Sequence, residues 1–217
     1  VGFFRMNMGT RRFIGRSETE DFRNWPYPRP LLAPDSQDPL EDDFYGPGYA
    51  RYPGRAKFHL MFIDVYHRFS DTKDIQLAVS RDGLLWTRPE RKPIISLGTM
   101  GSGEDGMLHP LAFPDGLVPL GEDRWGFAYN RSSRPHNLIG GEEGAQSESG
   151  RARWATWQRD RLVALEASQY GHVTLFFAPH GYRFEERPRL LKGPNLRLNY
   201  RVTATGGWVR AALVDRT

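Results

Sequence analysis

The most constraining feature of this chain is a repeat. IGRSETEDFRNWPYPRPLL, residues 14–32, and LAVSRDGLLWTRPERKPII, residues 77–95, share one order. Each runs apolar residue, Ser, acid-bearing turn, Trp, Pro, basic residue, Pro and an apolar pair. Ser17 and Ser80 stand 63 apart, and Trp25 and Trp86 stand 61 apart. A weaker copy, RWATWQRDRLVAL at 153–165, keeps a strand, an Arg-Asp turn and an apolar return strand without the closing Trp. The front half of the unit recurs as well. A Gly/Pro-rich strand precedes a strongly apolar one in FYGPGYARYPGRAKFHLMFIDV (44–65) and again in MLHPLAFPDGLVPLGEDRWGFAYN (107–130). Four short strands in a unit of roughly sixty residues is the signature of propeller blades. A β-sandwich with a chance repeat is the alternative, but sandwich strands do not require one Ser–turn–Trp–Pro order twice.

Strand signals dominate the rest. AKFHLMFIDVY (56–66) carries apolar residues on both alternating faces, as a strand covered on both sides must. DIQLAVS (74–80) alternates into Arg-Asp-Gly, a turn signal. Further strands are read at 125–130, 151–157, 172–177, 195–200 and 208–214, and one short helix around 159–168. The 23 Gly and 16 Pro leave little room for long helices. Residues 132–150 are Gly/Ser/Glu-rich and aperiodic, a long loop interrupting the last blade. The predicted fold class is all-β: a five-bladed β-propeller with about the last three blades present, then the start of a β-sandwich. Blade 3 covers part of its length at 1–38, blade 4 spans 39–99, blade 5 spans 100–169, and the sandwich begins at 170–217.

Composition removes several classes. With no Cys there is no disulfide framework, thiolate metal site or thiol nucleophile. No apolar run approaches the ~20 residues of a membrane span, and VGFFRMNMGTRR does not read as a signal peptide but as a chain beginning inside a strand. Net charge is +4, and only four of the 30 basic residues are Lys. The Arg residues are spread among 26 acids without a basic block, so nucleic acid is not an expected partner. Oligomeric state is not readable.

In a propeller the innermost strands line a central channel with the ligand at one end. SRDGLLW (80–86) is then scaffold: Ser80 and Asp82 hold a turn, Gly83 supplies backbone freedom and Trp86 packs between blades. The channel-facing stretches are EDDFYGPG (41–48) and GEDGMLHP (103–110), each opening with acids. Asp43 with Glu104 or Asp105 are the candidate catalytic carboxylates, a pair that could converge in the channel from neighbouring blades. Tyr45 and His109 follow the two acid clusters at similar offsets and are candidate binding residues. Tyr66, His67 and Arg68 end the apolar strand at the site rim, and Arg134 and His136 lie in the long loop. The plain structural reading has Asp42, Asp43, Glu104 and Asp105 capping strand starts and facing water. His59 reads as a satisfied core residue. No zinc spacing is present, and Asp71, Thr72 and Asp74 resemble a calcium loop only loosely. GSGEDG lacks the Lys and helix of a phosphate loop.

RRFIGRSETEDFRNW, DDFYGPG, VYHR, DIQLAVSRDGLLWTRP, PIISLG, GEDGMLHP, ATWQRDRLVAL and NLRLN, in that order, resemble the five-bladed β-propeller proteins of glycoside hydrolase families 32 and 43, the arabinanase, levansucrase and invertase superfamily. The resemblance is to a bacterial subgroup with a β-sandwich after the propeller. It implies a chain that begins in the second strand of blade 3, with the family's principal carboxylates on earlier strands, so no family acid, base or nucleophile carries onto a residue here. Glu104-Asp105-Gly106-Met107 stands where that subgroup more often has Asp-Ser-Gly-Met. The implied function is hydrolysis of glycosidic bonds in a plant or microbial poly- or oligosaccharide by paired carboxylates. The alternative is a non-catalytic carbohydrate-binding or structural propeller, and a third reading is an Arg-driven polyanion binder. The implied setting is secreted or periplasmic and the partner a carbohydrate. No cofactor is expected, with a structural calcium in the channel left open.

Overall fold

The computed structural model describes residues 1–54, 57–111, 116–137, 150–163, 201 and 207–210. The chain divides into two compact units, Val1–Trp157 and Gln158–Thr217. The second is described only at 158–163, 201 and 207–210. The strands read at 172–177 and 195–200, most of that at 208–214, and the second half of the expected helix lie outside the described residues.

The described structure is all-β, with twelve strands and no helix among the described residues. Strands β1 (Gly2–Met8), β2 (Arg11–Ser17) and β3 (Arg29–Leu32) form an antiparallel sheet in that order. A second, curled sheet holds β4 (Asp42–Arg51), β5 (His59–His67), β6 (Thr72–Ser80), β7 (Trp86–Thr87), β8 (Pro93–Ile95), β9 (Met107–Pro110), β10 (Val118–Pro119), β11 (Arg124–Ser132) and β12 (Arg151–Gln158). Its path runs β10-β11-β9-β6-β5-β4, with β7 and β8 on β6 and β12 on β11. β4, β5 and β6 are an antiparallel meander, and a single parallel pair, Lys73↔Met107, joins β6 to β9.

β5 is covered on both faces, as its double apolar alternation requires. Met61, Ile63 and Val65 join Ile14, Phe44 and Ala78 in a core where all six are fully buried, with Phe3, Leu31, Leu32 and Trp86 packed around it. On the other face Phe62 lies 4.2 Å from Phe127 and 6.2 Å from Trp157. Side-chain period two then puts Asp64 and Tyr66 on the Phe62 face.

β4 is an edge strand in this sheet, which is where Pro47 costs no ladder bond. Its pairing with β5 slips between Phe44 and Gly46, so Tyr45 is a bulged residue opposite no partner. A Cβ at Gly46 would stand 3.1 Å from His109 Cε1, and one at Gly48 only 2.8 Å from the Pro110 side chain. The missing side chains let β9 lie against β4.

The repeated turn is present, with its register corrected. Asp82 Oδ1 accepts from the backbone amides of Leu84 and Leu85, each at 2.8 Å, and from Ser80 Oγ at 3.0 Å. Asp21 Oδ1 accepts from the amides of Arg23 and Asn24 at 2.9 and 2.8 Å, and from Thr19 Oγ1 at 2.9 Å. Thr19, not Ser17, is therefore the counterpart of Ser80, and the whole motif recurs with one offset of 61 through Asp and Trp. The following residue has the same backbone hand in both copies, φ 57° at Phe22 and 73° at Gly83. Ser17 Oγ instead bonds the Pro26 carbonyl at 2.7 Å. The third copy is different: its turn closes by the Arg161 amide on the Gln158 carbonyl, with Asp160 at φ 59°.

Candidate functional site

Side chains from both sheets converge where β4 bulges. Tyr45 sits on the bulge, Tyr66 at the end of β5 and His136 just after β11, with His136 ring centroids 4.6 Å from Tyr45 and 5.0 Å from Tyr66, both edge-on. Cations surround this aromatic group. Arg5 Cζ of β1 lies 4.4 Å from the Tyr45 centroid, Lys73 Nζ of β6 lies 4.3 Å from it, and Arg12 Cζ of β2 lies 5.4 Å from Tyr45 and 5.2 Å from Tyr66.

Beside the rings is a buried carboxylate that sequence reasoning passed over. Asp64 is fully buried in the middle of β5. Its Oδ2 accepts from Lys73 Nζ at 3.2 Å and pairs with His109 Nδ1. Asp64 Oδ1 has no hydrogen-bond partner among the described residues, an unmet acceptor of the kind that costs about 1–3 kcal/mol. The His109 side chain is 45 % exposed, so a fixed Nδ1 faces the carboxylate while half the ring remains accessible. The available signal was an acid inside an otherwise apolar strand, which cannot be buried uncompensated.

The His136 side is closed by hydrogen bonds. Tyr66 Oη donates to Asp71 Oδ1 at 2.8 Å, and Asn137 Nδ2 reaches both Tyr66 Oη at 2.6 Å and Asp71 Oδ1 at 2.8 Å. The Asn137 amide donates to Asp71 Oδ2 at 2.7 Å, and the His136 amide to the Asp71 carbonyl at 2.7 Å. Burial, then the neighbouring Asp71, push the Tyr66 phenol above its usual range, so it stays a donor at neutral pH. Burial, then Lys73, hold the His136 imidazole below its usual range and so neutral.

The remaining expected site residues fall into ion clusters. Asp43 is fully buried and bonds three guanidiniums: Arg11 Nε at 2.9 Å, Arg12 at 3.1 Å and Arg68 Nε at 2.9 Å. Burial pushes this carboxyl up, but the bonds from Arg68, the Arg12 amide and Arg11 prevail and hold it below its usual range. A water-facing strand cap does not describe it. His67 lies between Asp42 Oδ1 at 2.7 Å and Asp74 Oδ2 at 2.9 Å. The bonds to Asp42 and then Asp74 raise its pKa to about 10, so it is an imidazolium. Glu104 stands 3.4 Å from Arg131 Nε and 3.2 Å from Arg153 Nε. Asp105 Oδ2 takes the Gly101 amide at 2.8 Å, and that bond lowers its pKa. The structure thus brings Tyr45, Tyr66, His109 and His136 together. Arg12 connects them to Asp43 and Arg68, while His67, Glu104 and Asp105 are engaged elsewhere. The Arg134 amide bonds Ser132 Oγ at 3.0 Å.

His59 Nδ1 meets Tyr49 Oη at 2.7 Å, a satisfied histidine as its strand position suggested. Asp71 and Asp74, the loose calcium-loop pair, are taken up by Tyr66, Asn137 and His67. Among the described residues no three His, Asp or Glu side chains are grouped to hold a metal ion. Comparison of the chain with family models, curated proteins and solved structures finds no match, so the convergence at the β4 bulge is itself the basis for any functional reading.

Proposed function

We propose that this chain is a β-propeller of the glycoside hydrolase type, that it takes a saccharide beside Tyr45 and His136, with Tyr66 buried behind them, and that it hydrolyses a glycosidic bond there. The propeller part is supported by successive antiparallel units whose outer turns repeat at one offset of 61 with the same hydrogen-bond circuit. The hydrolytic part is carried by one observation, the pairing of buried Asp64 with half-exposed His109. With Nδ1–H given to the carboxylate, Nε2 holds the lone pair and can take a proton from the water that attacks the anomeric carbon, while the glycosidic C–O bond breaks and the departing oxygen takes its proton from solvent. Asp64 fixes the tautomer and stabilises the imidazolium that forms. Asp43 does not serve as acid in this proposal, because three guanidiniums keep it ionised.

One observation favours saccharide binding without turnover. Each buried carboxylate among the described residues, Asp42, Asp43, Asp64 and Asp74, is already engaged by a cation or an imidazole. Two free carboxyl groups across a scissile bond are then not supplied by these residues. A panel of plant and microbial oligosaccharides and polysaccharides separates the readings. Hydrolysis predicts released reducing ends, with His109→Gln slowing the rate by about 10²–10⁴-fold. Binding without release supports the non-catalytic reading. Absence of both overturns the saccharide proposal.

A further inference from the structure

We infer that the saccharide taken at this site is acidic, its carboxylate seated against Arg5 beside Tyr45; this rests on the saccharide reading above. The site carries more positive charge than it neutralises. Arg11, Arg12 and Arg68 share a single carboxylate, Asp43, an excess of two positive charges, of which the two carboxylates on the one His67 imidazolium, Asp42 and Asp74, offset one. Lys73 is matched by Asp64. Asp71 accepts from Tyr66 Oη and from Asn137 rather than from a cation.

Arg5 is the informative residue. It is exposed on β1, and among the described residues its one recorded partner is the Tyr45 ring, 4.4 Å from Cζ. A guanidinium laid over a ring keeps its planar fork of N–H donors in the ring plane's neighbourhood and free to point outward. That fork matches a carboxylate bidentately, and Arg12 is held nearby over the same ring by its bond to Asp43. Tyr45 owes its position to the bulge, where no cross-strand partner competes for it. The arrangement fits a uronic acid residue: hydroxyls toward exposed Asn137 and half-exposed His109, carboxylate toward Arg5. A diffuse polyanion surface is a different matter, since it needs a basic block that this chain lacks.

The test uses the full chain and matched ligands: oligogalacturonate or oligoglucuronate against the methyl esters of the same oligosaccharides, by calorimetry. The acidic form is expected to bind about tenfold tighter than its ester, as for a charge-assisted pair. Arg5→Gln should bring the two within about twofold, while Arg5→Lys keeps part of the preference. Melting temperatures of both variants should match the parent, since Arg5 is exposed. Equal binding of acid and ester overturns this inference and leaves the saccharide reading standing. Preference for a sulfated oligosaccharide over the uronate overturns the carboxylate assignment. Binding of no saccharide overturns both.

Discussion

At the scale of single residues, the two turns separate what chemistry requires from what sequence retains. Asp21 and Asp82 perform one task, each capping two amides and taking one hydroxyl. The next residue must have positive φ, yet one copy uses Gly83 and the other Phe22. An L side chain in that region costs about 1–2 kcal/mol, which Gly avoids. A Cβ at Gly83 would meet the His59 ring only at 3.7 Å, an ordinary contact, so Gly83→Ala tests backbone hand alone. It should destabilise by about 1 kcal/mol in denaturant titration. Phe22→Gly should be neutral or stabilising by about 0.5 kcal/mol, because the ring is 80 % exposed and leaves little packing to lose. An opposite sign for the pair would mean that the turn does not impose this conformation. Ser17 aligns with Ser80 by letter only: hydroxyls of Ser and Thr are interchangeable at this turn, and the bond to the turn aspartate makes Thr19 the counterpart.

At the scale of elements, His67 fastens three strands, since it ends β5 and bonds Asp42 of β4 and Asp74 of β6. Its folded pKa of about 10 lies above the ordinary value of 6.5, so the stabilisation is complete below about pH 6.5 and is lost as pH rises through 10. His67→Gln should flatten that alkaline decline in a thermal melt series. At pH 6 it should cost roughly 3–5 kcal/mol, as removing one member of a buried ion pair does. If the decline persists unchanged in the variant, this histidine is not its source. The elements themselves were legible. The double apolar face of β5, the alternation of β6 and the strands at 125–130 and 151–157 all appear where period two placed them. The site was legible by half. Tyr45, Tyr66, His109 and His136 follow from strand ends and loops. Asp64 and Lys73 were missed because each stands inside a strand, where burial of a charge depends on a partner supplied by another strand. Asp43 shows the converse: an acid at a strand start is plain in the sequence, while the three arginines packed against it are not.

At the scale of the first unit as a whole, two charge clusters of opposite sense set its response to pH. Asp43 has a depressed folded pKa, so its contribution is full above about pH 4 and is lost as pH falls below that. His67 gives the alkaline limit. Thermal stability should therefore peak between about pH 4 and 6.5 and decline on both sides. Asp43→Asn should remove the acid-side decline and lower the plateau, because three guanidiniums would then share an uncharged group. A profile that stays flat below pH 4 and above pH 6.5 would sink the assignment. One further consequence lies in the glycine face of β4. Gly46 and Gly48 let the His109 and Pro110 side chains of β9 close on the β4 backbone, and Asp64 and His109 themselves stand on strands β5 and β9 rather than on a loop. A site built this way is preorganised. The proposed saccharide then need not spend binding energy on ordering the protein around it, association should run without a slow closing step, and selectivity should come from fixed side-chain positions rather than from induced fit.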